Sequence, residues 1–357
     1  RLLFFLLTGF SFALGLLTKQ NILTFPLMIV LLETCFFQET GWRRRRSFWV
    51  WGIGGAVGVC LALVLFFRLE GALFVSPQRL SNDQLHVNSY SYFLTQAKVI
   101  LRYLQLIAFP VGQSLDHHVP LSRTIRDWPT VLSGIVVLSF FLLGVMTVRK
   151  HRLIGFGIMW FFIAAAVECS IIPIRHVMFE HRMYLPMAGL AMSFSAWVIM
   201  RFPMRQSVIF FIAVMLALGG LTVRRNAVWE NGVTLWQDVV KKSPLEARGH
   251  TNLGKAYLEQ GDYDRALHHL ELSALLNPAQ SAQVDNNIGL IYLQLKQYDL
   301  AEYYFQKSLR REPGGIGTYN NLGGVYLEQG DDARAEEYFR KELNNSDHLS
   351  AYNNLGL

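Results

Sequence analysis

Five ionisable side chains crowd into the stretch PIRHVMFEHRMYLP, residues 173–186: Arg175, His176, Glu180, His181 and Arg182. Cations of this kind grip an anionic headgroup, arginine bidentately, while Glu and His carry protons to and from a reacting oxygen. The stretch lies between two long apolar runs, where an ionisable group is costly and reads first as a functional site. Two other segments offer related chemistry: Lys19, in a polar break at 18–21, and Asp116, His117 and His118, in SLDHHVP. Glu168 falls near the end of an apolar run. The plain alternative is an inter-helix salt-bridge lattice, for instance Glu180 with Arg182 or Arg175. His117 and His118 are adjacent, so their side chains diverge, and no spacing here reaches a metal signature. No metal is expected.

Composition sets the solvent in which these groups act. The chain has 357 residues, 52% of them hydrophobic and 13% aromatic, too apolar for an ordinary soluble domain. Up to residue 225 there are 21 Lys/Arg against 8 Asp/Glu; beyond it there are 12 against 18, so the formal +7 divides into +13 and −6. The basic part carries its charge in short loops between apolar runs, which is a membrane signature; nucleic acid is not an expected partner. Cys35, Cys60 and Cys169 sit inside apolar runs without metal or redox spacing and read as small buried hydrophobes. The chain opens at Arg1 in an apolar run and stops at Leu357 inside a repeat, so both ends read as cuts through a longer protein.

Seven apolar runs, at 2–17, 21–37, 48–67, 129–148, 153–172, 185–200 and 207–223, approach the length of a membrane-spanning helix. The stretch 90–109 is as long but carries Gln96, Lys98, Arg102 and Gln105, with Val99, Tyr103, Leu106 and Ile107 at helical spacing. It reads as an amphipathic helix lying at the interface, a true span being the alternative. The basic loops Arg43–Arg46, Arg149/Lys150/Arg152 and Arg201/Arg205 belong in the cytoplasm. Parity then puts 18–21, 68–128, 173–184 and everything after Arg224 on the outer face, against which Arg224 and Arg225 speak.

Beyond Trp229 a period appears. Gly254, Gly289, Gly323 and Gly356 follow Leu253, Ile288, Leu322 and Leu355; Tyr257, Tyr292 and Tyr326 come three residues after the first three glycines. Ala266, Ala301 and Ala335 come later in each unit, and Pro278 and Pro313 close the first two. This is the tetratricopeptide pattern of paired helices, in which Gly and Ala permit close approach and Pro stops the second helix. Residues 229–244, WENGVTLWQDVVKKSP, have the spacing of a further second helix. Asn252, Asn287, Asn321 and Asn354 hold one register, two residues before each glycine. Such a ladder suits the backbone of an extended polypeptide; the alternative is that Asn only caps or solvates the helix face. His268-His269, among Glu and Leu on a second helix, reads as solvated surface.

The expected fold is therefore all-α: a polytopic helical membrane domain over 1–225, a linker and degenerate repeat helix over 226–246, and a tetratricopeptide solenoid over 247–357 with three full repeats and one truncated. Leu16-Leu17-Thr18-Lys19-Gln20, Leu115-Asp116-His117, the EHRMYLP run and the Trp229 linker together resemble the transmembrane and tetratricopeptide repeat-containing O-mannosyltransferases and their bacterial relatives. That resemblance implies a GT-C glycosyltransferase moving a sugar from a polyprenyl-phosphate carrier, its donor substrate, to a protein acceptor; the chain itself holds no cofactor. It implies an acidic catalytic motif upstream of Arg1, with this fragment inactive alone. It casts Lys19, Arg175 and Arg182 as phosphate ligands, Glu180 and His181 as orienting partners, and Asp116, His117 and Glu180 as lesser catalytic candidates. The implied partners are the bilayer, the lipid-linked sugar and an extended acceptor in the repeat groove. The implied location is a bacterial inner membrane with periplasmic repeats, or an endoplasmic reticulum membrane with luminal ones. The competing readings are a non-catalytic membrane-anchored scaffold for envelope or pilus assembly, and a ligase for preformed lipid-linked glycan.

Overall fold

The computed structural model describes residues 24–36, 88–166, 168–169, 177–278, 281–315 and 317–345. Every regular element among them is helical. The chain divides into two compact units, Arg1–Thr222 and Val223–Leu357.

In the first unit, α1 (Phe25–Phe36), α2 (Ser89–Ala108), α3 (Trp128–Lys150), α4 (Arg152–Ala165), α5 (Tyr184–Arg201) and α6 (Met204–Asn226) appear in that order. Among the described residues, three segments are long and apolar enough to cross a membrane: Trp128–Lys150, Glu180–Arg201 and Met204–Trp229. Of the run expected at 153–172, the described residues are helical in α4, 14 residues or about 21 Å of helix. Its last turn tightens, with the Ala166 N–H donating to the Ile163 carbonyl, just before Glu168. The expected spans at 2–17 and 48–67 lie outside the described residues.

Helices α4 and α5 cross where both lack a side chain. A Cβ on Gly157 would run into the Gly189 carbonyl, and one on Gly189 into the Gly157 carbonyl and the Trp160 ring. Close backbone approach at small residues is how apolar helices associate where water supplies no driving force. Ser193 Oγ donates to the Ile154 carbonyl at 2.7 Å and Trp160 Nε1 to the Leu185 carbonyl at 3.0 Å, closing the same interface. Helix α6 is apolar on all sides, and Ser207 is its one buried residue.

Helix α2 packs against the residues that follow α4 and those that precede α5. The Tyr92 hydroxyl donates to the Glu168 carbonyl, beyond α4, and Tyr103 bonds Phe179, ahead of α5. The two tyrosines are about 16 Å apart along the helix, so α2 bridges the two ends. Thr95 joins it to the start of α3 through Ser122 and Thr130. Beneath α2, Val99, Tyr103, Leu106, Phe161, Ala165, Met178 and Met183 form one core.

In the second unit, α7 (Gly232–Lys242) precedes three helix pairs: α8 (Ala247–Glu259) with α9 (Tyr263–Leu276), α10 (Ser281–Gln294) with α11 (Tyr298–Arg311), and α12 (Thr318–Glu328) with α13 (Asp332–Asn345). The periodic glycines sit where a partner residue fills the missing Cβ: Leu270 against Gly254, Phe305 against Gly289 and Phe339 against Gly323. Ala266, Ala301 and Ala335 are buried beside them. The periodic tyrosines stack on the second helix of their own pair, Tyr257 on His269, Tyr292 on Tyr304 and Tyr326 on Tyr338, with centroids 5.3–5.7 Å apart. Their hydroxyls also reach the preceding unit: Tyr326 donates to Glu302 of α11, and Tyr257 accepts from Gln237 of α7, both at 2.6 Å. Thus α7 occupies the place of a second repeat helix. Its start is held by a capping box between Asn231 and Thr234.

Candidate functional site

The polar connector of the first unit is built by three segments meeting under α2. Glu180 begins a short 3-10 turn, Glu180–Met183, and its Oε1 accepts the Ser114 N–H at 2.8 Å and lies 2.7 Å from His117 Nε2. Arg182 Nε stands 3.5 Å from Glu168 Oε2, with the two side chains only 10% and 13% exposed. The Arg182 guanidinium also lies 5.4 Å from the centre of the Phe179 ring. Phe179 is fixed in turn by Tyr103, whose hydroxyl accepts the Phe179 N–H and donates to its carbonyl, each at 2.9 Å. Burial pushes the Tyr103 phenol well up, so it remains a protonated donor.

Of the segments expected to converge, those holding His117 and Glu180 meet, with partners other than those expected. Glu180 pairs with His117 and Ser114 and not with Arg182, because the turn at 180 directs it toward the loop after α2. The acid beside Arg182 is Glu168. His181, cast as an orienting partner, is exposed and lies against the Phe179 ring, 5.2 Å between centres. Asp116 enters through its main-chain carbonyl, which accepts from Ser114 Oγ. Lys19, Arg175 and His176 lie outside the described residues. A carboxylate joined to an imidazole can pass a proton, whereas an arginine closed on a buried carboxylate presents little free charge. Tyr92, Tyr103 and Ser114 escaped the sequence reading, since the tyrosines fall on the apolar stripe of α2 and look like core. Among the described residues no group of three or more His, Cys, Asp or Glu is placed to hold a metal ion.

In the second unit the asparagines keep one register but not one environment. Asn252 is half-buried and donates to the Arg248 carbonyl of its own helix. Asn321 reaches the preceding repeat, its Nδ2 donating to Asn286 Oδ1 at 3.0 Å. Asn287 is only 6% exposed, and its Nδ2 has no hydrogen-bond partner among the described residues. The reason is the residue corresponding to Asn286 in the preceding unit: it is Thr251, whose shorter side chain turns inward to Ser273 Oγ at 2.6 Å. Asn354 lies outside the described residues.

His268 is exposed as expected, but His269 is not mere solvated surface. It stacks on Tyr257 and faces His250, Nδ1 to Nδ1 at 3.1 Å. Burial, then the neighbouring His250 and His268, lower its pKa to about 4. The signal was available: the two later repeats place Tyr304 and Tyr338 at this position, each in the stack.

Comparison with known proteins bears on the repeats. Residues 247–280 and 280–348 match profiles described as tetratricopeptide repeat. A curated relative, the uncharacterized protein ycf37 of Guillardia theta, is 31% identical over 86 residues, covering 23% of this chain and 48% of its own length. The chain thus spans about half the length of the curated relative it matches. Among solved structures, one described as the crystal structure of MamA shows 22% identity over 37% of this chain and 78% of its own, with a TM-score of 0.32. A Pseudomonas aeruginosa structure described as pilF shows 17% identity over 60% of this chain and 78% of its own, with a TM-score of 0.29. The chain carries tetratricopeptide repeats behind apolar helices of membrane-crossing length.

Proposed function

We propose that this protein is a membrane-anchored scaffold whose tetratricopeptide repeats hold an extended segment of another polypeptide. The observation that carries the reading is the repeat architecture itself, three helix pairs with polar side chains in one register, following helices of membrane-crossing length. Stacked helix pairs create a continuous surface for a chain in extended form, and Asn donors and acceptors read its backbone without regard to sequence. Asn252 and Asn321, both half-buried, are the residues we assign to that contact; Asn287 contributes only if the groove opens. The basic loops Arg149/Lys150/Arg152 and Arg201/Arg205 argue for repeats on the non-cytoplasmic side, periplasmic in a bacterium or luminal in the endoplasmic reticulum. Envelope or pilus assembly is the setting that suits such a scaffold.

The test is the affinity of the purified full chain in detergent for unstructured peptides, read by fluorescence anisotropy. Replacing Asn252 and Asn321 with Ala removes two hydrogen bonds and is expected to weaken binding about tenfold. Undiminished affinity in the double variant would sink the reading.

One observation favours a second reading, transfer of a sugar from a polyprenyl-phosphate carrier to the held polypeptide. It is the meeting of Glu180, His117 and Ser114 from separate segments, with Arg182 nearby in sequence. In this reading Glu180 and His117 handle the proton, and Lys19, Arg175 and Arg182 receive the donor phosphate. The closure of Arg182 on Glu168 weighs toward a structural role and makes the scaffold the leading reading. Lys19→Ala and Arg182→Ala in the full-length protein, assayed for turnover of a polyprenyl-phosphate sugar, decide it; unchanged turnover removes the donor site.

A further inference from the structure

The turn that leads into α3 exposes Arg123, Thr124, Ile125 and Arg126 in succession, with Ile125 63% exposed and Trp128, the first residue of the helix, 80% exposed. Two large apolar side chains here alternate with two arginines that make no ion pair among the described residues. The nearest acid does not neutralise them. Asp127 accepts from Thr130 Oγ1 at 2.6 Å and lies 3.6 Å from Lys98 Nζ.

The turn is also firmly built. Its leading side is tied down by the Ser122 N–H donating to Thr95 Oγ1 at 2.9 Å, and by Lys98 Nζ donating to the Pro120 carbonyl at 2.7 Å. Its trailing side is tied by the Ser122–Thr130 hydroxyl contact at 2.6 Å and by the Asp127 N–H donating to the Thr124 carbonyl. These contacts fix the backbone of the turn, so the two arginines and two apolar side chains are held outward.

We propose that this turn docks onto the phospholipid headgroup layer and selects anionic lipid. Arg123 and Arg126 would take the lipid phosphates, while Ile125 and Trp128 enter the boundary between headgroups and acyl chains. The occupant is a lipid surface and not a protein because the patch is continuous with α3, a predominantly apolar helix of 23 residues that begins at Trp128. A tryptophan at the end of such a helix belongs at headgroup depth, and unpaired arginines there complement negative lipid charge. The proposal rests on α3 crossing the membrane.

The experiment uses the full chain in detergent, titrated with phosphatidylglycerol or phosphatidylcholine and followed by native mass spectrometry. The expected result is preferential retention of phosphatidylglycerol. In the double variant Arg123→Gln/Arg126→Gln that preference falls about tenfold or more. The variant Arg123→Lys/Arg126→Lys keeps most of it, and Arg340→Gln, in the repeats, leaves it unchanged. Equal retention of the two lipids, or a preference that survives the Gln variant, overturns the proposal. A change in oligomeric state without any change in lipid preference also overturns it, in favour of a protein contact. Alkaline extraction of native membranes separately tests the premise: release of the chain defeats the reading of α3 as a span, whatever the lipid result.

Discussion

His250 Nδ1 and His269 Nδ1 face each other across 3.1 Å, with His250 only 5% exposed and its Nε2 3.0 Å from the Pro244 carbonyl. The contact joins the first turn of α8 to the middle of α9. Two imidazoles that close hold at most one added proton without placing two cations in contact.

Acid should therefore loosen the first repeat. Burial and the two neighbouring histidines lower the His269 pKa to about 4, while an unfolded histidine titrates near 6.5. Between those values the unfolded chain binds more protons, so stability is level above about pH 6.5, falls as the pH drops toward 4, and levels again below. Because the ring is partly exposed, the expected loss is about 1–2 kcal/mol. His269→Tyr, which restores the residue type of the other two stacks, is expected to flatten this dependence in thermal melts followed by circular dichroism.

Lys296 carries a positive φ of 57° at the turn where the other two repeats place Gly261 and Gly330, at 77° and 78°. The left-handed conformation costs a residue with a Cβ about 1 kcal/mol or more. Lys296→Gly is expected to raise stability by roughly 0.5–1 kcal/mol, visible as a higher urea midpoint with unchanged slope. A lower midpoint would show that the lysine makes a compensating contact.

Glycines of the first unit should respond oppositely according to the space around them. Gly157 and Gly189 stand where each other's carbonyl leaves no room for a Cβ, so either one changed to Ala forces α4 and α5 apart at a cost of about 1–3 kcal/mol. Gly219 in α6 has open space around its missing Cβ, and Gly219→Ala should be neutral or mildly stabilising. Thermal denaturation in one detergent, comparing all three variants, checks the contrast.

Glu342 is fully buried, and its carboxylate accepts the Gly317 N–H at 2.8 Å and the Asn320 N–H at 3.4 Å. It caps α12 from the facing helix, a charge at the helix end that attracts it. Glu342→Ala strands those donors and is expected to cost about 2–3 kcal/mol; Glu342→Gln, which keeps an acceptor, should cost less. Equal losses in chemical denaturation would argue that the charge, rather than the hydrogen bonds, carries the effect.

The periodicities were legible in the residue order because they are local. Gly254, Gly289 and Gly323, with the tyrosines three residues on, announce close helix pairs; the run at 129–148 announces a helix of membrane-crossing length. In both cases the helix geometry alone decides which side chains share a face. Within the ionisable cluster, the meeting of the segments that hold His117 and Glu180 was anticipated, but their pairing was not. His117 and Glu180 lie 63 positions apart, and which of several charges a carboxylate meets depends on how the intervening helices pack. The same holds for Asn287, left without a partner because a neighbouring repeat carries Thr251, and for the length of α4. Composition and period determined the kind of elements and their order; only the tertiary structure decided the partners, because a hydrogen bond is made or lost over a few tenths of an ångström and no spacing along the chain carries that information.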